Sequence, residues 1–124
     1  PAPFWMAAPL KLADRIVFSK LRERLGNSIR VAISGSAPLG KDTAMFFDAI
    51  GMPITEGYGL TEGGVNSINP IDAPIYGSIG KPLPGVEMKL AEDGELIVKS
   101  PTLFAGYFKD PAATASIIRD GWLY

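Results

Sequence analysis

Cysteine and histidine are both absent from the 124 residues. Without cysteine there are no disulfides and no thiolate metal sites, which fits a reducing compartment. Without histidine the chain holds no Ser–His or Cys–His nucleophile pair and no zinc site built on imidazole. An excess of one charge is missing as well. Twelve basic residues meet thirteen acidic ones for a formal net charge of −1, so there is no electrostatic footprint for nucleic acid. No apolar run approaches the ~18 residues needed to cross a bilayer. The opening Pro1-Ala2-Pro3-Phe4-Trp5-Met6 has no basic stretch leading into an apolar one and does not read as a signal peptide. The chain starts without Met and stops at the aromatic-rich Gly121-Trp122-Leu123-Tyr124, and is expected to be a piece of a longer protein.

What is present is globular. Hydrophobic residues make up 47% and charged residues 20%, the values of a folded domain with a core to bury. Residues 9–25 carry Leu10, Ala13, Val17, Leu21 and Leu25 at helical spacing, with Gly26 as the stop. This amphipathic helix can pack on the protein's surface, its acids and bases being interleaved, or rest on a membrane. Ile29, Val31, Ala32 and Ile33 predict a buried strand over 29–34, residues 41–50 a second helix, and residues 53–57 a second strand. Strand–helix–strand in so short a stretch predicts a parallel crossover unit, with ligands at the carboxyl ends of the strands. The fold class is therefore α/β: a parallel unit over residues 1–70, then a β-rich, hairpin- or barrel-like portion of the same domain over 71–124. Pro70, Pro74, Pro82 and Pro84 forbid long helices there. Residues 86–90 and 95–99 flank Ala91-Glu92-Asp93-Gly94 and predict a β-hairpin joined by an Asp-Gly turn. Asp110-Pro111 predicts a capped helix over 112–118, and Asp120-Gly121 a turn into Trp122.

The chemistry concentrates in Ile54-Thr55-Glu56-Gly57-Tyr58-Gly59-Leu60-Thr61-Glu62-Gly63-Gly64. Glycines let backbone approach a ligand closely. The tyrosine offers a stacking face, the threonine a hydroxyl donor, and the carboxylates oxygen ligands for a hard cation. An upstream stretch, Gly35-Ser36-Ala37-Pro38-Leu39-Gly40-Lys41-Asp42, nearly spells the phosphate loop G-x-x-x-x-G-K-[ST]. Asp42 stands where a hydroxyl should meet the metal, and Pro38 removes a backbone N–H from the phosphate cradle, so that reading fails.

Several ordered segments resemble the AMP-forming acyl-CoA synthetase superfamily, which holds fatty-acid CoA ligases, luciferases and peptide-synthetase adenylation domains. They are Gly35-Ser36-Ala37-Pro38-Leu39, Glu56-Gly57-Tyr58-Gly59-Leu60-Thr61-Glu62, Gly77-Ser78-Ile79-Gly80-Lys81-Pro82-Leu83-Pro84-Gly85, Gly94-Glu95-Leu96, Gly106-Tyr107 and Gly121-Trp122-Leu123-Tyr124. The resemblance runs over roughly residues 10–124. Leu12-Ala13-Asp14-Arg15-Ile16-Val17-Phe18-Ser19-Lys20, with Glu56-Gly57 before Tyr58, looks most like long-chain fatty-acid ligases.

The resemblance implies part of the large N-terminal domain of an ATP-dependent ligase. In that family a carboxylate attacks the α-phosphate of ATP, giving an acyl-adenylate and pyrophosphate, and a thiol, usually of coenzyme A, then displaces AMP. Carried over by position, Tyr58 stacks on adenine, and the backbone of Gly35, Ser36, Ala37 and Pro38 borders the base and acyl pocket. Glu56, Gly57, Gly59 and Leu60 continue the nucleotide wall. Thr61 donates to the α-phosphate and Glu62 holds Mg²⁺, which makes these two the candidate catalytic residues. For Glu56 a structural hydrogen bond and a catalytic role both stand open. Lys81 is expected at the surface and Trp122 in the core. The family's lysine-bearing phosphate loop, ribose-gripping aspartate and adenylation lysine fall outside these residues, so the chain alone is expected to be inactive. The alternative is a non-catalytic nucleotide-sensing or interaction module that reuses the fold. The implied partners are a fatty acid, ATP and coenzyme A in the cytoplasm, with no nucleic acid. Peripheral membrane contact of the parent, and self-association of the chain through apolar surface, stay open.

Overall fold

Apolar residues at helical spacing do form a helical run, and it begins ahead of Pro9. In the computed structural model, which describes residues 3–124, a 3₁₀ turn at Phe4–Met6 leads into α1 (Ala7–Ala13), a π-helical turn at Asp14–Phe18 and α2 (Ser19–Leu25). Gly26 ends the run at φ 95°. The expected stripe is not a core, however: Leu10, Val17 and Leu25 are all exposed. The wider π turn shifts the helical phase by about one residue, and Asp14 and Arg22 lie on the less exposed side. Arg22 pairs with Asp14 at 2.8 Å and donates to the Ile50 carbonyl at 2.6 Å. That bond tethers the helical run to the end of α3 (Lys41–Ala49).

The crossover has the predicted form. β1 (Ala32–Ser34), α3 and β2 (Ile54–Leu60) follow one another, and β1 lies parallel to β2 in the register Ala32↔Ile54 to Ser34↔Glu56. Ala44 and Ile50 are buried, which turns one side of α3 and its C-terminal residue inward. Two expectations are corrected here. The first strand is shorter than 29–34 and is not buried, since Ile29, Val31 and Ile33 are exposed. It is the edge of a sheet ordered β1-β2-β3-β4 and has one strand neighbour. The second strand does not stop at Gly57 but runs to Leu60, through the glycine-rich motif itself.

β2 pairs antiparallel with β3 (Gly64–Ile68), which pairs in turn with β4 (Lys81–Pro82). The connection 69–80 is held by Asn69. Its side-chain oxygen accepts from the Ile75 N–H at 2.9 Å, and its amide donates to the Ile75 and Ser78 carbonyls at 2.7 and 3.0 Å. These bonds let a proline-punctuated loop keep one shape.

The second sheet, ordered β5-β6-β8-β7, is open and antiparallel. β5 (Glu87–Leu90) and β6 (Leu96–Lys99) form the expected hairpin. Its turn is not a two-residue Asp-Gly turn. Ala91 N–H donates to the Glu95 carbonyl and Gly94 N–H to that of Ala91. Only Gly94, at φ 90°, enters the left-handed region, which is the geometry of a longer loop ending in a glycine bulge. The two-residue turn occurs instead at Asp120 (φ 51°) and Gly121 (φ 79°), between β7 (Ile118–Arg119) and β8 (Trp122–Leu123). Ile97, Val98 and Leu123 are the buried core of this sheet. Trp122 is half-buried rather than core, with the Lys89 ammonium 4.1 Å from its ring centre. Among the described residues no helix is long and apolar enough to cross a membrane.

α4 (Pro111–Ile117) starts as expected, with Pro111 in its first turn and the Asp110 carboxylate accepting from the Ala113 N–H at 2.9 Å. Removing an N-cap oxygen costs about 1 kcal/mol. Asp110→Ala should therefore lower the unfolding free energy by about that amount in urea titration, and Asp110→Asn by much less.

Candidate functional site

β2 positions the site, and neighbouring backbone leaves no room for a side chain at Gly59, whereas at Gly57 a side chain would meet only ordinary contacts. A Cβ on Gly57 would stand 3.5 Å from the Ser67 carbonyl and 3.8 Å from the Ile33 side chain. At Gly59 a Cβ would overlap the Gly64 carbonyl, so no other residue fits. Pairing across β2 and β3 runs Tyr58↔Ser67 and then Gly59↔Val65. Asn66 is thus the extra residue of a β-bulge, a device that re-aims side chains at the rim of a sheet.

Two adjoining clefts, of about 730 and 240 Å³, open along β2 and share Ser36, Gly57, Tyr58, Gly59 and Leu60. The larger also takes in Gly35, Thr61 and Glu62, and the smaller Ala37, Pro38 and Glu56. Every candidate catalytic, nucleotide-binding or metal-binding residue from the sequence therefore lies on one continuous rim. Ile33, Val65, Ile68 and Ile79 line it too, and nothing in the sequence marks them as site residues. Ser36 sits at φ 68° without being glycine, a conformation that surrounding structure must hold.

Glu56 supplies part of that hold. It is 7% exposed, and its Oε1 accepts from the Leu39 N–H at 3.0 Å. Its side chain therefore anchors the 35–39 loop to β2, which favours the structural reading. The same bond bears on the near-phosphate-loop, because the Leu39 N–H is spent on a carboxylate and is not offered to an anion.

Thr61, Glu62 and Gly63 form the turn between β2 and β3. Thr61 is exposed at its tip. The Glu62 carboxylate accepts from the Tyr107 hydroxyl at 2.7 Å. That bond holds its carboxyl below the usual carboxylate range, with help from its own backbone N–H against slight desolvation. The same bond raises the Tyr107 phenol above its ordinary value, with desolvation and the nearby negative charge adding to it. Glu62 is thus ionised and Tyr107 protonated at neutral pH. Tyr107 appeared in the sequence only as half of a Gly-Tyr pair, and its distance along the chain hides the contact.

A third cleft of about 600 Å³ lies along residues 105–118, with Lys109 and Asp110 as its charged lining. It gathers none of the candidate catalytic, nucleotide-binding or metal-binding residues. No group of three or more His, Cys, Asp or Glu side chains suited to a metal occurs among the described residues. A cation at the β2 rim would need ligands beyond the protein's carboxylates. Mg²⁺ is characteristically held this way, by one or two carboxylates plus phosphate oxygens and water. An ionised, accessible Glu62, with acceptor capacity left after one hydrogen bond, fits that donor set.

Known proteins share this architecture. The family described as AMP-binding enzyme matches residues 2–108. The long-chain-fatty-acid–CoA ligase FadD15 of Mycobacterium tuberculosis is 44% identical over 111 residues, covering 88% of this chain and 18% of that protein. Long chain acyl-CoA synthetase 3 of Arabidopsis thaliana is 34% identical, covering 98% of this chain and 20% of the relative. Among solved structures, ATP-bound MatB from Rhodopseudomonas palustris matches 76% of this chain and 22% of its own at a TM-score of 0.68 and 37% identity. The chain spans about a fifth of the length of the curated relatives it matches.

Cutting the Glu56–Leu39 bond should loosen the rim. Glu56→Ala leaves a backbone N–H unpaired and should cost about 1–3 kcal/mol of stability, with faster amide exchange at Leu39. Glu56→Gln keeps an acceptor oxygen and should preserve that protection, as hydrogen-exchange NMR would measure.

Proposed function

Since the chain belongs to the AMP-binding enzyme family, we propose that it forms one wall of the nucleotide site of an ATP-dependent fatty-acid–CoA ligase. The observation that carries this reading is the convergence of Tyr58, Thr61 and Glu62 with the 35–38 loop on one rim. A long-chain acyl substrate and coenzyme A as acceptor are supported by the names of the relatives.

Each residue then has a task that its placement permits. The half-buried Tyr58 ring stacks on adenine while Gly57 and Gly59 keep its flanks open. The backbone of Gly35, Ser36, Ala37 and Pro38, with Glu56 behind it and Leu60 beyond, borders the base and acyl pocket. Thr61, exposed at the turn, donates its hydroxyl to the α-phosphate. The ionised Glu62 carboxylate holds Mg²⁺. When bound, the cation supplies charge neutralisation for attack of one anion on another. Around it the chain's own groups bind and align: Thr61 fixes the phosphate, Tyr58 the base, and the glycine backbone admits both.

We further propose that residues 1–70 and 71–124 act as an α/β and a β-rich portion of one domain. The chain by itself should not turn over, because the rim lies open and no lysine lines the two clefts. A cytoplasmic setting fits the absence of cysteine. Peripheral membrane contact is supported by the exposed Leu10, Ile16 and Val17 beside basic residues.

In the full-length enzyme, Glu62→Gln should cut carboxylate-dependent pyrophosphate release by about a hundredfold or more. An unchanged rate would contradict the assignment. Tyr58→Ala should weaken ATP binding by about 1–3 kcal/mol, the worth of one stacked base, in calorimetric titration.

A further inference from the structure

Glu62 is half-buried beside the exposed Thr61 at the turn, where an unrestrained glutamate samples several rotamers and must be ordered before it can serve as a ligand. A segment of the β-rich half, 39 to 45 residues later in sequence, reaches across to this turn. Thr102 Oγ1 donates to the Gly63 carbonyl at 2.8 Å, the Phe104 N–H to the Glu62 carbonyl at 2.8 Å, and the Tyr107 hydroxyl to Glu62 Oε1 at 2.7 Å. The first two fix the backbone of the turn, and only the third acts on the carboxylate.

Tyr107 is itself fixed. Its ring meets Phe104 edge-on at 4.9 Å and 76°, and its N–H donates to Thr114 Oγ1 at 2.9 Å. Gly106 before it lies at φ 132°, where a Cβ would come within 2.8 Å of the Thr114 side chain. A phenol restrained at both ring and backbone presents its hydroxyl at one point. Glu62 is the side chain that receives it.

We propose that Tyr107 is a positioning residue, which fixes the Glu62 carboxylate in the orientation that takes a nucleotide-bound divalent cation. The inference rests on the ligase reading of the site. A hydrogen-bond donor to a ligating carboxylate sets the direction of the remaining lone pairs, and losing such a partner characteristically costs metal affinity about 10–100-fold. Tyr107 lines neither cleft along β2, so its removal should leave recognition of the base intact.

The test uses the full-length enzyme, Mn²⁺ as a spectroscopic probe and α,β-methylene-ATP as the nucleotide. Tyr107→Phe removes a hydroxyl from a residue 40% exposed and keeps the ring on Phe104, so the variant should fold. By electron paramagnetic resonance it should bind Mn²⁺ about tenfold more weakly in the presence of the analogue. Affinity for the analogue in EDTA should stay within about twofold of wild type. In turnover, KM for Mg²⁺ should rise, with kcat largely restored at saturating metal. Thr102→Val, which unties Gly63 without touching the carboxylate, should lower Tm yet keep Mn²⁺ affinity. In a Glu62→Gln background, Tyr107→Phe should add no further loss. Wild-type Mn²⁺ affinity in Tyr107→Phe would overturn the inference, as would an equal loss in Thr102→Val. A wild-type enzyme showing no Mn²⁺-dependent analogue binding and no pyrophosphate release would overturn the functional reading beneath it.

Discussion

The constraint on which this structure depends is the close passage of two backbones at Gly59. A side chain there would occupy the place of the Gly64 carbonyl, so β2 and β3 can pair only if position 59 is glycine. The pairing slips by one residue at the same point and leaves Asn66 as the bulge. The slip bends the hairpin just where Tyr58 joins the rim and where the Thr61–Glu62–Gly63 turn begins. One steric requirement therefore fixes the aromatic face and the carboxylate relative to each other.

Around that hairpin the chain adds restraints from both directions in sequence. From upstream, the 35–39 loop is pinned by its N–H to the buried Glu56 carboxylate. From downstream, residues 102–107 grip the turn through three hydrogen bonds. The rim is thus assembled from three separate stretches, none of which holds a ligand-sized surface alone. Charge follows the same logic: Glu56 is buried and engaged by backbone, whereas Glu62 is accessible, ionised and steadied by a phenol. Two carboxylates six residues apart have acquired different work from their surroundings.

Much of this was legible in the sequence where a residue has one physical meaning. Asp110-Pro111 could hardly be other than a helix start, and the apolar run before Gly35 with the helix behind it specified a parallel crossover. The glycine-rich motif misled as to secondary structure. The strand was predicted only as far as Gly57 because glycines lack β-propensity, yet it runs on to Leu60, and at Gly59 only bare backbone can approach the Gly64 carbonyl so closely. Asp93-Gly94 and Asp120-Gly121 look alike in sequence, and only the second makes the two-residue turn, since flanking pairing selects loop length. Strand β1 reads as buried in the sequence and is not, and the first helical run, which reads as packing on the surface or resting on a membrane, leaves Leu10, Val17 and Leu25 exposed. Their apolar faces are written in the sequence, while the partner that covers them is not. The Tyr107–Glu62 bond was out of reach for a simpler reason: no local pattern links positions 45 residues apart.

In the proposed reading, nucleotide is recognised along β2 and the loop beside it. Hydrogen–deuterium exchange of the full-length enzyme, with and without AMP, tests this directly. Peptides covering residues 35–39 and 56–62 should gain protection, with little change along 108–118. Protection confined to the cleft of residues 105–118, or absent from both 35–39 and 56–62 at saturating AMP, would contradict it.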